Sequence, residues 1–380
     1  MKRSAFAVTL VLFLAAFAAR ADDNLVQIHG FGGWSYGRSN DLSFLGATTE
    51  GNSNNAQFAL NVVAKPYERL NVVAQVNLET AGTNHADLDY AFAEWVASDR
   101  IKLRMGRVKH PLGLYGEVFD VGTVRPFQYL PQSIYGADGF TAKAYNGAGL
   151  TGLLRRGKWE LQYDVYTGEI DGDYAIPLPP SATAVGVDVN ASPFRNIGFR
   201  YRNVIGGRLQ ATTPVEGLLI GASAYSASDH FVTSATNRKV GRTAYIGSAE
   251  YARGPVTLRS EWGRGESKGL HIHKGGYLEG SWRVTPKWQL AARYDKLDFD
   301  PVGFPNSFKG PLSQLKKHKD VAFGVNYWLA SSLVLRADFH KTQGNRFMYP
   351  DTLRELNSDV AAGKLGSDSS AVIVGAQFSF

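Results

Sequence analysis

The sequence of 380 residues contains no cysteine. This absence excludes disulfides, thiolate metal sites, covalent haem attachment and lipid-bearing cysteines. The sequence also lacks long apolar runs, and no segment reaches the roughly 20 apolar residues that a membrane-spanning helix requires. The mean hydropathy of −0.20 would suit a soluble exported protein. It also suits a membrane barrel, whose strands alternate lipid-facing and water-facing residues so that the average stays near zero.

The N-terminal residues 1–21 predict a secretory signal peptide. MKRS carries two cations, the run AFAVTLVLFLAAFA is apolar but short, and Ala19-Arg20-Ala21 fits a small-x-small cleavage site. A buried N-terminal helix is the alternative. Removal of this segment would leave 38 Lys and Arg against 34 Asp and Glu, a net charge of +4 instead of +7. The net positive charge therefore comes partly from the signal peptide, and nucleic acid is not a predicted partner.

Apolar and polar residues alternate in many segments of the remaining chain. Examples are LNVVAQVNLE at 70–79, KWELQYDVY at 158–166 and LVLRADFH at 333–340. A period of two residues indicates β-strands, and no long helical pattern is found. About sixteen such segments are predicted, at 25–38, 56–65, 69–79, 88–97, 101–109, 146–156, 157–168, 199–212, 216–228, 242–253, 255–266, 271–285, 287–299, 319–330, 332–343 and 370–380.

The connections between these segments differ in length in a regular way. Turns of a few residues follow the even-numbered strands, and longer loops follow most odd-numbered ones, at 39–55, 80–87, 110–145, 169–198, 229–241, 300–318 and 344–369. Outer-membrane barrels have this arrangement, with short periplasmic turns and long external loops. The fold class predicted for residues 22–380 is therefore all-β, a 16-stranded antiparallel transmembrane β-barrel in the bacterial outer membrane, surrounded by outer-membrane lipid and lipopolysaccharide.

Aromatic residues at strand ends support this interpretation. Five tryptophans lie near predicted short turns and predict an interfacial girdle, namely Trp95, Trp159, Trp282, Trp288 and Trp328. The chain ends AVIVGAQFSF, an alternating strand that stops on Phe380. A sheet edge cannot stay open in lipid, so this strand should pair with the first one. The aromatic-x-aromatic end resembles the C-terminal signature of bacterial outer-membrane proteins, which implies the barrel-assembly machinery as a partner.

The longest connection, about 109–147, is rich in Gly, Pro and Tyr. The run LRMGRVKHPLGLYGE at 103–117 resembles a segment of phosphate-selective-type porins, and the whole strand plan resembles the sixteen-stranded Gram-negative porins. This resemblance implies a third loop that folds inward to constrict the channel, and it implies a homotrimer. The candidate constriction residues are Lys109, His110, Glu117, Asp120, Arg125, Asp138 and Lys143. Alternatively, several of them tie the loop to the wall through buried ion pairs.

Charged residues on the polar face of the strands are the candidate pore wall. The cations are Lys102, Arg104, Arg200, Arg202, Arg259, Arg283, Arg293 and Arg336. A charged face is costly in a dry core and inexpensive in a watery lumen, which favours a water-filled channel. The alternative is a set of neutralising pairs that stiffen the wall. The excess of arginine predicts a preference for anions, although the mixed signs in the loop weaken the case for phosphate specificity.

The predicted function is a porin for passive diffusion of small hydrophilic solutes, with neither catalysis nor a cofactor. GAGLTG at 147–152 matches a dinucleotide-binding motif but opens no helix, and His271-x-His273 has no third ligand in view for a metal. Three alternatives stay open. They are a channel selective for phosphate or organic acids, a barrel that docks or sheathes a partner protein, and an outer-membrane enzyme.

Overall fold

A computed structural model describes residues 25–80, 85–136, 140, 142–177, 194–232, 237–303 and 309–380. The predicted signal peptide and Asp138 lie outside these ranges. Within them, sixteen strands form one closed antiparallel barrel in which every strand pairs with its sequence neighbours and β1 pairs with β16. The strands are β1 (Val26–Ser39), β2 (Asn52–Tyr67), β3 (Leu70–Glu79), β4 (His85–Ser98), β5 (Ile101–Lys109), β6 (Ala144–Arg156), β7 (Trp159–Pro177), β8 (Phe194–Thr212), β9 (Leu218–Val232), β10 (Asn237–Arg253), β11 (Val256–Ser267), β12 (His271–Arg283), β13 (Trp288–Asp300), β14 (Lys317–Ala330), β15 (Leu333–Gln343) and β16 (Asp368–Ser379).

Short helices occur in the long connections. Two 3₁₀ turns (Gly116–Val118 and Gly122–Val124) and helix α1 (Gln132–Tyr135) lie between β5 and β6. A 3₁₀ helix (Gly310–Lys316) precedes β14, and helix α2 (Leu353–Ala361) precedes β16. No helix in the described ranges is both long and apolar enough to cross a membrane.

The predicted barrel is confirmed, with all sixteen predicted segments falling on strands. The strands extend further on the side of the long connections than the alternation indicated. For example, β7 continues to Pro177 and β8 begins at Phe194, whereas their predicted limits are 168 and 199. These extra strand residues include polar side chains beyond the apolar band of the barrel. Apolar and polar residues do not alternate regularly there, so the sequence does not indicate a strand.

Each strand has an outer face and an inner face, which β15 shows clearly. Leu335 and Phe339 are exposed by 41% and 43%, whereas Arg336 and Asp338 between them are exposed by 3% and 1%. Exposed leucines, valines and aromatics cover the outer faces of the other strands in the same way. The barrel therefore has the apolar exterior that a lipid environment requires, and its polar residues point inward.

The seam between β1 and β16 closes the barrel. The amide of Gly30 donates to the carbonyl of Phe380 over 3.0 Å, and the amide of Phe380 donates back over 2.8 Å. A Cβ built on Gly30 would lie 2.3 Å from the tip of the Phe380 ring, so a side chain at this position would have to displace the aromatic cover. The terminal aromatic pattern therefore completes the outer surface at the point where the ends of the sheet meet.

Four of the five tryptophans have the orientation that a girdle requires. Trp95, Trp159, Trp282 and Trp288 each expose 47–51% of their surface on the outer face. The prediction for Trp328 is wrong. It lies on the same face of β14 as the buried His318 and Asn326, and the Arg283 guanidinium stacks 4.8 Å from its ring centroid.

Candidate channel constriction

The connection between β5 and β6, residues 110–143, is here named the constriction loop. It packs against the inner faces of the strands on one side of the barrel. The amide of Gly113 donates to Ser223 Oγ of β9 over 3.1 Å, α1 packs on β11, β12 and β13, and the 3₁₀ turn at 122–124 contacts β16 and β1. The loop thus crosses the interior from β5 to β9 and β11–β13 and follows the wall to the seam between β16 and β1.

Glu261 of β11 is a central anchor for the loop and is fully buried. Its Oε1 accepts from the Leu114 amide over 2.8 Å and from Ser248 Oγ over 2.7 Å. Its Oε2 accepts from the Tyr135 and Tyr277 hydroxyls over 2.5 and 2.8 Å. Each carboxylate oxygen therefore binds one donor of the loop and one donor of the wall.

Wall charges further along bind the loop backbone directly. Asp295 accepts from the amide of Gln132 over 2.7 Å, and Asp338 accepts from the amide of Gln128 over 2.6 Å. Arg293 Nη1 donates to the carbonyl of Tyr129 over 2.9 Å. These charged side chains replace the water that the loop backbone would otherwise bind, so the amides of Gln128 and Gln132 and the carbonyl of Tyr129 are satisfied although the loop is buried.

A cavity of about 260 Å³ remains on the side that the loop leaves open. The wall of this cavity comes from β1, β2, β3 and β16, and its floor comes from the loop. Its charged and amide-bearing lining residues are Asn55, Gln57, Glu79, Asp120, Arg125, Gln128, Gln132, Lys143 and Gln377. Three of the predicted constriction residues, Asp120, Arg125 and Lys143, thus come together at one opening.

Lys143 and Asp120 form the charged centre of this opening, and the buried Lys109, which does not line the cavity, contacts Asp120. Asp120 is 3% exposed and contacts both Lys109 Nζ and Lys143 Nζ, the latter at 3.4 Å. Burial alone would raise the pKa of the Asp120 carboxyl, but Lys143 and Lys109 lower it well below its usual range. Burial likewise opposes the charge of Lys143, yet Asp120 and Glu79 raise its pKa above the usual value. Asp120 and Lys143 are therefore both charged at neutral pH.

Arg125 differs from the lysines in its contacts. Its Nη1 donates to the carbonyl of Phe119 over 3.0 Å, and among the residues that the structure describes no carboxylate forms an ion pair with it. The nearby guanidinium of Arg336 donates to the Arg125 carbonyl and to the Phe127 carbonyl. Arg125 therefore brings a positive charge to the cavity that the described neighbours do not neutralise directly.

His110 and Glu117 lie away from the cavity and hold the loop in place. His110 is fully buried, its Nε2 lies 2.7 Å from the Tyr166 hydroxyl, and burial lowers its pKa to about 3. Glu117 contacts Arg208 and lies 3.2 Å from Arg104 Nη1. Burial would raise the pKa of Glu117, but these two arginines lower it. The ion pairs of Glu117 agree with the alternative of a tether through ion pairs, whereas His110 holds the loop through a hydrogen bond.

The predicted wall cations divide into several groups. Arg293 and Arg336 are each 3% exposed, because their guanidiniums bind loop carbonyls instead of water. Arg259 donates to Tyr115 of the loop over 3.0 Å and pairs with Glu250 at 2.5 Å. Three further cations lie on the inner face without a carbonyl of the loop as partner, namely Lys102, Arg104 and Arg283.

Arg200 and Arg202 do not lie on the inner face. The residue between them, Tyr201, is buried in the aromatic cluster beneath the loop, so both arginines point outward, where they pair with Asp171 and Glu169 of β7. The cause is a bulge in β8 at Asn203, which adopts a positive φ of 52° and shifts the pairing with β9. One extra residue reverses the alternation for every residue before it.

Among the described side chains of β8, the arginine on the inner face is Arg208, which the sequence interpretation missed. It is 3% exposed and bridges Asp164, at 2.8 Å, and Glu117 of the loop. Arg208 follows the buried Val204 by four residues, an even number, so the two side chains share one face of the strand. The sequence could have placed Arg208 on the inner face if the bulge had been known. Asp89 was also missed. It pairs with Lys109 at 2.7 Å, but it lies at the predicted start of β4, where the alternation is weakest.

Metal binding receives no support from the described residues, where no group of three potential ligands is found. His271 and His273 lie with ring centroids 5.7 Å apart, and each packs on an aromatic ring, Phe299 and Phe140 respectively. Aromatic packing therefore accounts for the two imidazoles.

Comparison with known proteins agrees with the fold. A family model described as phosphate-selective porin O and P matches residues 35–365. No curated protein is significantly similar in sequence. Among solved structures, OmpF of Salmonella typhi in complex with daunomycin has a TM-score of 0.57 at 12% identity, covering 93% of this chain and 97% of that one. An anion-selective porin from Comamonas acidovorans gives 0.55 at 11% identity, with 93% and 99% covered. The trimer form of OmpT, an outer membrane protein of Vibrio cholerae, gives 0.56 at 12% identity, with 93% and 99% covered.

Proposed function

Because the chain belongs to the phosphate-selective porin O and P family, we propose that its barrel conducts small hydrophilic solutes passively across the bacterial outer membrane, with a preference for anions. The family and the closed sixteen-stranded barrel support the channel. The passage is the cavity beside β1, β2 and β3, because the constriction loop fills the opposite side of the lumen.

The observation that carries the anion preference is the unequal exposure of the charges in the cavity. The side chain of Lys143 is 42% exposed, whereas that of Glu79 is 24% exposed and that of Asp120 only 3%. Arg125 adds a second cation to the same lining. A permeating ion responds most strongly to charges that face the water beside it, so the effective lining is positive even though the signs are mixed.

The mechanism requires no covalent chemistry and no cofactor. Solutes enter from the long-connection side, pass between the loop and β1–β3, and are selected by size and charge. A homotrimer in a lipopolysaccharide-containing membrane is part of the proposal, and the trimer form of the Vibrio cholerae neighbour supports it. Recognition of the C-terminal strand by the assembly machinery is proposed on the basis of the terminal aromatic pattern.

A channel selective for phosphate is the second candidate. Its support is the description of the family and the presence of Arg125, whose guanidinium has the geometry to bind phosphate in bidentate fashion. Glu79 and Asp120 in the same cavity oppose a doubly charged anion. We therefore propose a general anion preference as the principal function and phosphate selectivity as the alternative. A barrel that sheathes a partner protein is less favoured, because the chain's own loop occupies much of the lumen.

Reversal potentials in planar bilayers under a potassium chloride gradient test the proposal. The wild-type protein should form ion-conducting channels whose potential indicates chloride over potassium. Arg125→Glu and Lys143→Glu should each shift the potential towards potassium, while Lys287→Glu, in an exposed short turn, should leave it unchanged. Cation preference in the wild type would contradict the proposal. Repeating the measurement with potassium phosphate separates the two candidates, since only the second predicts inhibition of chloride current by phosphate.

A further inference from the structure

The wall contributes one acid to the opening that the sequence interpretation did not single out. Glu79, at the end of β3, lines the cavity, and its Oε1 lies 3.5 Å from Lys143 Nζ. Lys143 Nζ also lies 3.4 Å from Asp120 Oδ1. The ammonium of Lys143 is therefore held between a carboxylate of the wall and a carboxylate of the loop, both of which line the cavity.

The two carboxylates differ in how they can act on this ammonium. Asp120 is buried and also binds Lys109, so its charge is shared. Glu79 is partly exposed to the cavity, and its position is set from the wall, since Asn77 Nδ2 donates to Glu79 Oε1 and Gln57 Nε2 donates to Asn77 Oδ1 over 3.2 Å. Glu79 is therefore the fixed partner that draws Lys143 towards β3.

We propose that Glu79 is a specificity-determining residue, which restrains the ammonium of Lys143 against β3 and thereby limits the anion preference of the channel. This inference rests on the proposed function. Without Glu79, the buried Asp120 is the one carboxylate in the described part of the chain within ion-pair distance of Lys143 Nζ. The ring centroid of Phe119 also lies 5.9 Å from this nitrogen. The cation would then face the passage with one neutralising charge fewer.

Glu79→Gln tests the proposal through the chloride-to-potassium permeability ratio, measured on the full-length protein in planar bilayers. A unit charge freed on Lys143 roughly 6 Å from the path, in a water-like dielectric with a Debye length of about 10 Å, changes the chloride and potassium permeabilities about twofold each and in opposite directions. We therefore expect the ratio to rise about three- to fourfold. Glu79→Asp keeps the charge and should stay close to wild type. Glu216→Gln is the matched control, because Glu216 pairs with Arg253 in an exposed short turn. No rise in Glu79→Gln, or an equal rise in Glu216→Gln, would overturn the proposal.

Repeating Glu79→Gln in a Lys143→Gln background separates restraint of Lys143 from the direct effect of the Glu79 charge. If Glu79 acts through Lys143, the rise should fall to less than half of its size in the wild-type background. An equal rise in both backgrounds would overturn the role proposed for Glu79 as a restraint. Failure of the proposed function is recognised separately, because the wild-type protein would then carry no ion current or prefer potassium whatever stands at position 79.

Discussion

Replacing Glu261 by glutamine weakens an anchor of the constriction loop without changing the size of the side chain. Each oxygen of the Glu261 carboxylate accepts one hydrogen bond from the loop and one from the wall. The glutamine side chain carries an NH₂ donor in place of one of these oxygens. The tyrosine hydroxyls can accept as well as donate, so with the NH₂ at the Oε2 position all four hydrogen bonds can still form, but none of them involves a charged acceptor any longer.

The size of the effect follows from this count. A hydrogen bond to a charged group contributes about 1.5–3 kcal/mol and a neutral one about 0.5–1.5 kcal/mol, so each of the two loop bonds weakens by about 1 kcal/mol. Attachment of the loop should therefore weaken by about 1.5–3 kcal/mol, which lowers the ratio of attached to detached loop about 10- to 100-fold. The two wall bonds weaken by a similar amount, but the ladders between β10, β11 and β12 remain.

Single-channel recording measures this change directly. Glu261→Gln should show excursions to a higher conductance that are about tenfold or more frequent than in wild type, since the detached loop widens the passage. Gel mobility with and without heating checks that the barrel is folded. Glu160→Gln is the control, because Glu160 pairs with Arg155 beside a short turn, and that pair lies away from the loop. The same conductance and excursion frequency in all three proteins would refute the reasoning.

Three further predictions concern stability. The pKa of His110 is lowered from 6.5 to about 3. As the pH falls, the unfolded chain therefore binds a proton at this histidine before the folded protein does. The free energy of unfolding in urea should have its full value above pH 6.5 and decrease as the pH falls towards 3. His110→Gln should reduce this decrease. Deletion of Phe380 removes both seam bonds to Gly30 and should lower the yield of heat-modifiable barrel severalfold, whereas Phe380→Trp should not. Arg208→Met leaves the buried Asp164 without its arginine and removes one of the two arginines that pair with Glu117, and it should cost about 3–5 kcal/mol in urea unfolding, against less than about 1 kcal/mol for the exposed Arg200→Met.

The fold could be predicted from the sequence because the two environments of a barrel wall leave a direct mark on it. Lipid outside and polar groups inside impose the period of two seen in LVLRADFH, and β15 has the predicted faces. The terminal Phe380 also had a simple explanation, since the closing strand must leave no open edge. These signals are local, and each is contained in a segment of about ten residues.

The positions of Arg200 and Arg202 could not be predicted, because they depend on one backbone dihedral angle. Asn203 tolerates a positive φ more readily than most residues, but many asparagines in strands do not adopt one. The resulting bulge reverses the faces of a whole half-strand. Beyond the lipid band polar residues occupy both faces of the strand. The sequence therefore does not show that the two faces have been exchanged.

The surroundings of the inner arginines also could not be predicted from the neighbouring residues in the sequence. Arg293 and Arg336 have the spacing of residues that line water, and on that basis they were expected to face a lumen. They instead bind the carbonyls of Tyr129 and Phe127 in the loop, which lie 164 and 209 residues away in sequence. An inward-facing charged side chain can be solvated by water or can bind the backbone of a buried loop. Which of the two occurs depends on the path of the loop. The same ambiguity explains why Glu79, on the polar face of β3, was not assigned to the constriction.

The absence of cysteine makes the central claim directly testable by thiol labelling. Gln57→Cys places a thiol in the cavity beside β2, and Val325→Cys places one on the outer face of β14, where the native side chain is 42% exposed. A charged, membrane-impermeant thiol reagent added to an open channel should reduce the current of Gln57→Cys stepwise and leave that of Val325→Cys unchanged. Block at Val325→Cys, or no effect at Gln57→Cys in a channel that conducts, would contradict the account of a water-filled passage at this side of a lipid-facing barrel.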